Sequence, residues 1–221
     1  MSSRAYGLLL LPGLWLIGLS TLNADAQTPS QLISVETGDL PIILTAPHGG
    51  SDAIPGVLLR QGNGVALFKS QSDAFTDQLT EKLADAIEAK QGQRPYLIIA
   101  RFHRKYLDAN RRARDAYESP EAEAVYNAYH QAIADARDEI IKRWGHGTLI
   151  DIHGQAAELK TIFRGTQNGK TTTHLVNRFG REALIGESSL FGLLAQQGLQ
   201  VIPEIGSIET RGKRWIRRQL Q

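Results

Sequence analysis

The feature that most constrains this chain is a pair of short apolar runs, each closed by histidine and glycine. Ile42-Ile43-Leu44-Thr45-Ala46 leads into Pro47-His48-Gly49-Gly50, and Thr148-Leu149-Ile150-Asp151-Ile152 leads into His153-Gly154-Gln155. Runs of this length, apolar and bounded by glycine and proline, read as strands. Open α/β sheets place their ligands beyond the C-terminal ends of their strands. Two strand-end histidines beside glycine therefore point to a metal site shared between strands.

The remaining signals alternate strand and helix. Leu32–Glu36 alternates and reads as a strand near an edge, followed by a Thr37-Gly38-Asp39 turn. The Ile42–Thr45 run is continuously apolar, as expected of a strand covered on both faces. Residues 49–71 are glycine-rich and form a long loop, a kind of segment that is often functional. A helix is predicted from about Asp73 to Ala89, with Phe75, Leu79, Leu83, Ala86 and Ile87 on one stripe. Tyr96–Ala100 is another buried strand, and a polar loop, Arg101–Glu118, follows it. Ser119-Pro120-Glu121 opens the longest helix, with Val125, Tyr129, Ile133, Ile140 and Trp144 inward and Gly145 beyond its end. Ile162-Phe163, His174-Leu175-Val176 and Leu199–Ile202 are shorter strand candidates, the last preceded by a helix over Ser188–Gln197. The expected fold class is α/β in three layers, a mainly parallel or mixed sheet with helices on both faces.

The chain has 221 residues, the length of one domain with a sizeable core. Residues 1–26 read as a signal peptide: Arg4, an apolar run from Leu8 to Leu19, and a small-residue site, Ala24-Asp25-Ala26. The run falls short of the ~20 residues a spanning helix needs, so cleavage after Ala26 is expected. The mature chain, 27–221, is then a single exported domain, secreted or periplasmic, with no stable membrane anchor. There is no cysteine, which excludes disulfides and thiolate zinc sites. A metal would need histidine and carboxylate, a donor set typical of catalytic sites. The net charge of +2 includes Arg211, Lys213, Arg214, Arg217 and Arg218, so the rest of the chain is slightly acidic. That balance gives no reason to expect a nucleic-acid partner.

Zinc sites of catalytic type commonly combine two histidines with one carboxylate. Beside His48 and His153, the third ligand is Asp73 or, alternatively, Asp52; Asp73 also stands where a helix N-cap belongs. Asp151 is placed to orient a histidine from outside the metal. In Arg104-Lys105-Tyr106-Leu107-Asp108-Ala109-Asn110-Arg111, arginines bracket an aspartate and an asparagine. Guanidinium groups grip carboxylates and asparagine both donates to and accepts from amides, so this loop suits an acidic acyl-amino-acid substrate. His130, after Tyr126 and Tyr129, fits a core position and a substrate contact equally. Arg164-Gly165-Thr166 with Asn168–Thr171 is a polar loop suited to a pocket wall; it lacks phosphate-loop spacing.

Taken together, Pro47-His48-Gly49-Gly50, Asp73, Arg104-x-x-x-Asp108-x-Asn110-Arg111 and Asp151-x-His153-Gly154 resemble the N-formylglutamate amidohydrolase family, over about residues 40–203. The resemblance implies a phosphorylase/hydrolase-like fold, related to zinc carboxypeptidases and succinylglutamate desuccinylases. It implies zinc held by His48, Asp73 and His153, and an Arg104, Asp108, Asn110 and Arg111 loop reading substrate carboxylates. The expected reaction is hydrolysis of the linear amide C–N bond of an N-acyl amino acid such as N-formyl-L-glutamate. The family's late strand carries a glutamate in a Gln-x-Glu setting. Here the only late glutamates are Glu204 and Glu209, and neither matches, so the general base is unassigned. Residues 207–221 form an atypical basic tail, and the sheet is expected to lack its last strands. The alternatives are an exported zinc peptidase or amidase acting on cell-wall peptide, and a truncated non-catalytic homologue.

Overall fold

The structure is a computed structural model and describes residues 28–204 and 206. The expected signal peptide, Glu209 and the basic tail lie outside the described residues. The chain divides into two compact units. Among the described residues, the first comprises those from Thr28 through Ser72 together with Asp77–Ile152; the second comprises Asp73–Thr76 and those from His153.

The first unit holds a four-stranded sheet in the order β1-β3-β2-β4, from β1 (Ile33–Glu36), β2 (Ile42–Ala46), β3 (Tyr96–Ala100) and β4 (Thr148–Asp151). β1 runs antiparallel to β3, while β2 is parallel to both β3 and β4, so the sheet is mixed. Side chains of a strand alternate between faces, and β3 shows why all five of its residues are buried. Tyr96, Ile98 and Ala100 pack with Val125, Tyr129, Ala136 and Ile140 of α3 (Glu123–Trp144). Leu97 and Ile99 face the other way, toward Leu83, Ala84 and Ile87 of α1 (Thr76–Gln91). The three-layer α/β expectation is met here, with about 1.5–3 kcal/mol for each large side chain fully removed from water.

Several expectations change in detail. α1 starts at Thr76, because Phe75 adopts a left-handed backbone (φ 63°). Its inward stripe is Thr80, Leu83, Ala84 and Ile87, while Phe75, Leu79 and Ala86 are exposed. α3 ends as expected, on a left-handed Gly145 (φ 72°) whose N–H bonds to Ile141. β4 is an edge strand of the described sheet, not a buried one, and leaves Leu149 half exposed.

The second unit has its own parallel pair, β5 (Thr161–Phe163) and β6 (Gln200–Ile202). Thr173–Phe179 is helical (α4), which corrects the strand expected over His174–Val176: a positive-φ Gly169 and a 3₁₀ turn over Lys170–Thr172 lead directly into it. α5 (Glu182–Ile185) and α6 (Leu190–Gln196) follow, the latter capped by Ser189 accepting from the Gly192 N–H. The short α2 (Ala113–Ala116) belongs to the first unit.

Gly50 shows why the first histidine is followed by glycines. A Cβ there would collide with the Arg101 carbonyl group, where the loop after β2 runs against the end of β3. The same approach lets the Asp52 N–H bond to the Arg101 carbonyl at 2.8 Å. Gly50→Ala should lower the urea midpoint at unchanged slope, by an overpacking cost of about 1–3 kcal/mol. An unshifted midpoint would show that the loop yields without strain.

Candidate functional site

In the first unit, β2 delivers His48 to the C-terminal edge of the sheet. The imidazole is 1% exposed, and its Nε2 lies 2.7 Å from Asp108 Oδ1. Asp108, in the loop after β3, is itself fully buried. Its Oδ1 also accepts the Asn110 N–H at 3.1 Å. Its Oδ2 accepts Arg104 Nε at 2.9 Å, with Arg104 Nη2 at 2.8 Å and Arg111 Nε at 3.7 Å.

Burial raises the Asp108 pKa, but the hydrogen bond and charge of His48 and the Arg104 guanidinium outweigh it. They hold the carboxyl well below the ordinary carboxylate range. An ionised carboxylate only accepts, so the proton between the two side chains sits on His48 Nε2. That is how a metal-ligating histidine is fixed in one tautomer and orientation. Arg104 supplies the charge that a buried carboxylate otherwise lacks.

The sequence assigns Arg104, Asp108, Asn110 and Arg111 to substrate; the structure sorts them into two pairs. Arg104 and Asp108 are buried against each other and against His48, which gives them a positioning geometry. Asn110 is exposed and Arg111 half exposed, the latter donating from Nη2 to the Leu67 carbonyl at 3.0 Å. Arg60, also buried, donates to the carbonyls of Lys69, Arg104 and Asp115 and thereby ties the long loop to this segment. Burial lowers the Arg60 pKa, and it feels Asp108, Arg104, Glu118 and Arg111 electrostatically. Arg104 and Arg111 thus gather at the one buried carboxylate of Asp108, with Arg60 beside them.

His130, read as a core or a substrate residue, packs behind this loop. Its ring lies 4.3 Å from that of Tyr126 and 5.6 Å from that of Tyr129. Burial lowers its pKa, while a hydrogen bond to the Ala109 backbone opposes that shift. Asp151, expected near a metal, accepts Thr45 Oγ1 at 2.6 Å and so cross-links β4 to β2. Asp52, the alternative third ligand, is exposed, and its backbone bridges to Phe102.

In the second unit, His153 Nδ1 lies 2.9 Å from Asp73 Oδ2, and the same oxygen accepts the Gly154 N–H at 3.2 Å. This is not the N-cap geometry considered for Asp73. The Asp73 contact with α1 runs through its carbonyl, which accepts Thr76 Oγ1 at 2.8 Å. A Cβ at Gly154 would approach Asp73 Cβ to 3.2 Å, so glycine is favoured after this histidine too. Glu204 is exposed in this unit, and no described bond prepares it as a general base.

Sequence reasoning missed the Asp108–His48 bond. The available signal was local: Leu107 and Ala109, both buried, flank the aspartate within an otherwise polar loop.

Comparison with known proteins adds little. No protein-family profile matches the chain, and no curated protein matches it. Among solved structures, an N-formylglutamate amidohydrolase from Ralstonia eutropha JMP134 is 17% identical, with a TM-score of 0.40. The match covers 59% of this chain and 57% of that one.

Replacing Asp108 by asparagine keeps the shape but removes the charge between His48 and Arg104. Expected is a loss of about 3–5 kcal/mol in unfolding free energy, because the buried Arg104 guanidinium loses the carboxylate it faces. A denaturant midpoint equal to that of the parent protein would refute the buried-pair assignment.

Proposed function

We propose that this protein is a metal-dependent hydrolase that cleaves the amide of an N-acyl acidic amino acid, of the N-formylglutamate kind. The observation that carries the reading is the His48–Asp108–Arg104 chain, an imidazole fixed by a buried, charge-compensated carboxylate. Histidines held this way are typical of metal ligation.

His48, Asp73 and His153 are the proposed ligands, the two imidazoles and one carboxylate that the sequence resemblance implies. Chain connectivity supports the grouping. Within the first unit, the Ile152 N–H bonds to the Thr45 carbonyl at 2.8 Å, and Ser72 Oγ to the Gly50 carbonyl at 3.3 Å. These anchored residues flank His48 in the sequence or pair beside it, and they immediately precede His153 and Asp73. An oxygen–nitrogen donor set of this composition fits zinc. When bound, zinc supplies a Lewis acid for the amide carbonyl and acidifies water.

The chain's own residues then have separable tasks. Asp108 and Arg104 hold the His48 ring in one tautomer. Asn110 and Arg111, at the surface of the same loop, bind the substrate carboxylate. The leader-like residues 1–26 support an exported setting, and with it a second reading, an amidase acting on cell-wall peptide.

Expected for the full chain are one bound zinc, formate release from N-formyl-L-glutamate, and loss of both activity and metal on dialysis against a chelator. His153→Ala should weaken zinc by more than the roughly 10–100-fold typical of outer-shell changes. Undiminished zinc in that variant would remove His153 from the site. Zinc with turnover only of a cell-wall peptide amide would select the second reading.

A further inference from the structure

The turn that presents Asn110 and Arg111 is held from both sides. On its inner side, Asp108 accepts the Asn110 N–H through Oδ1 and the Arg111 N–H, at 3.1 Å, through its carbonyl. On its outer side stand two residues of α3, one helical turn apart. Tyr126 donates its hydroxyl to the Arg111 carbonyl at 3.0 Å. His130 packs its ring 4.3 Å from that of Tyr126, behind the same turn.

Side chains four apart on a helix are neighbours about 5–6 Å apart at Cβ, which is how His130 backs Tyr126. Aromatic packing fixes the tyrosine: its ring lies against that of His130 and, at 5.6 Å, against that of Tyr117, while Tyr129 meets His130 edge-on.

We infer that Tyr126, backed by His130, is a positioning residue that holds the Ala109–Arg111 backbone in the conformation in which Asn110 and Arg111 bind the substrate carboxylate. The inference rests on the hydrolase reading above. It assigns these α3 residues to ground-state binding of the anion and not to the metal, because the Asp108–Arg104 and Asp108–His48 contacts do not pass through them.

The test uses the zinc-loaded full chain, with steady-state kinetics on N-formyl-L-glutamate and calorimetric titration with L-glutamate, the acidic product. Tyr126→Phe removes one hydroxyl and keeps the ring and its packing. It should raise KM, and weaken glutamate binding, by about three- to tenfold, the worth of one hydrogen bond, with kcat within about twofold and zinc content unchanged; a merely structural role would not give that selective change in KM. Parent-like KM and glutamate affinity in Tyr126→Phe would overturn the inference while leaving the hydrolase reading intact. So would a fall in kcat at constant KM. A parent protein that neither turns over the substrate nor binds glutamate would remove the hydrolase reading, and the inference with it.

Discussion

One buried carboxylate organises the sheet edge of the first unit. Asp108 has no exposed surface, and an unpaired anion in that position would carry a desolvation penalty of several kcal/mol. It is stable there because Arg104 supplies the opposite charge from one turn earlier in the loop, while His48 and the Asn110 N–H occupy its other oxygen. Each of those groups in turn has its place fixed by the carboxylate. The carboxylate fixes the proton of the His48 imidazole on Nε2 and gives the Asn110 turn its inner anchor.

This arrangement accounts for how the neighbouring segments are built. The loop following β2 must run close to the end of β3, which Gly50 permits, so that His48 can reach a residue 60 positions later. The long loop over residues 51–75 is tied down by the Arg60 guanidinium, which reaches three carbonyls, one of them that of Arg104. Polar backbone groups of a loop with little regular structure are in this way satisfied by one long cationic side chain.

Much of this was legible in the sequence, for identifiable reasons. Strand identities came from β-branched apolar runs, and the sheet's two faces follow from the period of two in β3. The end of α3 could be read from Gly145, which alone there accepts a left-handed backbone without penalty. The start of α1 could not, because a non-glycine residue, Phe75, takes a left-handed conformation that no propensity announces. His174–Val176 looked like a strand because three residues are too few to show helical period. The histidines were found because strand ends and glycines mark them. The role of Asp108 was not, since its partners are distant in sequence and a polar loop gives little sign of burial.

The shared carboxylate also limits how such a site can vary. Asp108 bonds simultaneously to the imidazole and to the N–H of Asn110 through the same oxygen, Oδ1. A displacement of that oxygen therefore moves the His48 ring and the Asn110 turn together, and the low dielectric around it makes each bond depend strongly on the others. The contacts from α3 act differently. The Tyr126 hydroxyl meets the turn at the Arg111 carbonyl, on its far side, and makes no direct bond to Asp108. Sequence change that alters ligand preference is accordingly expected at the α3 face of the loop, while Asp108, Arg104 and His48 change only as a set.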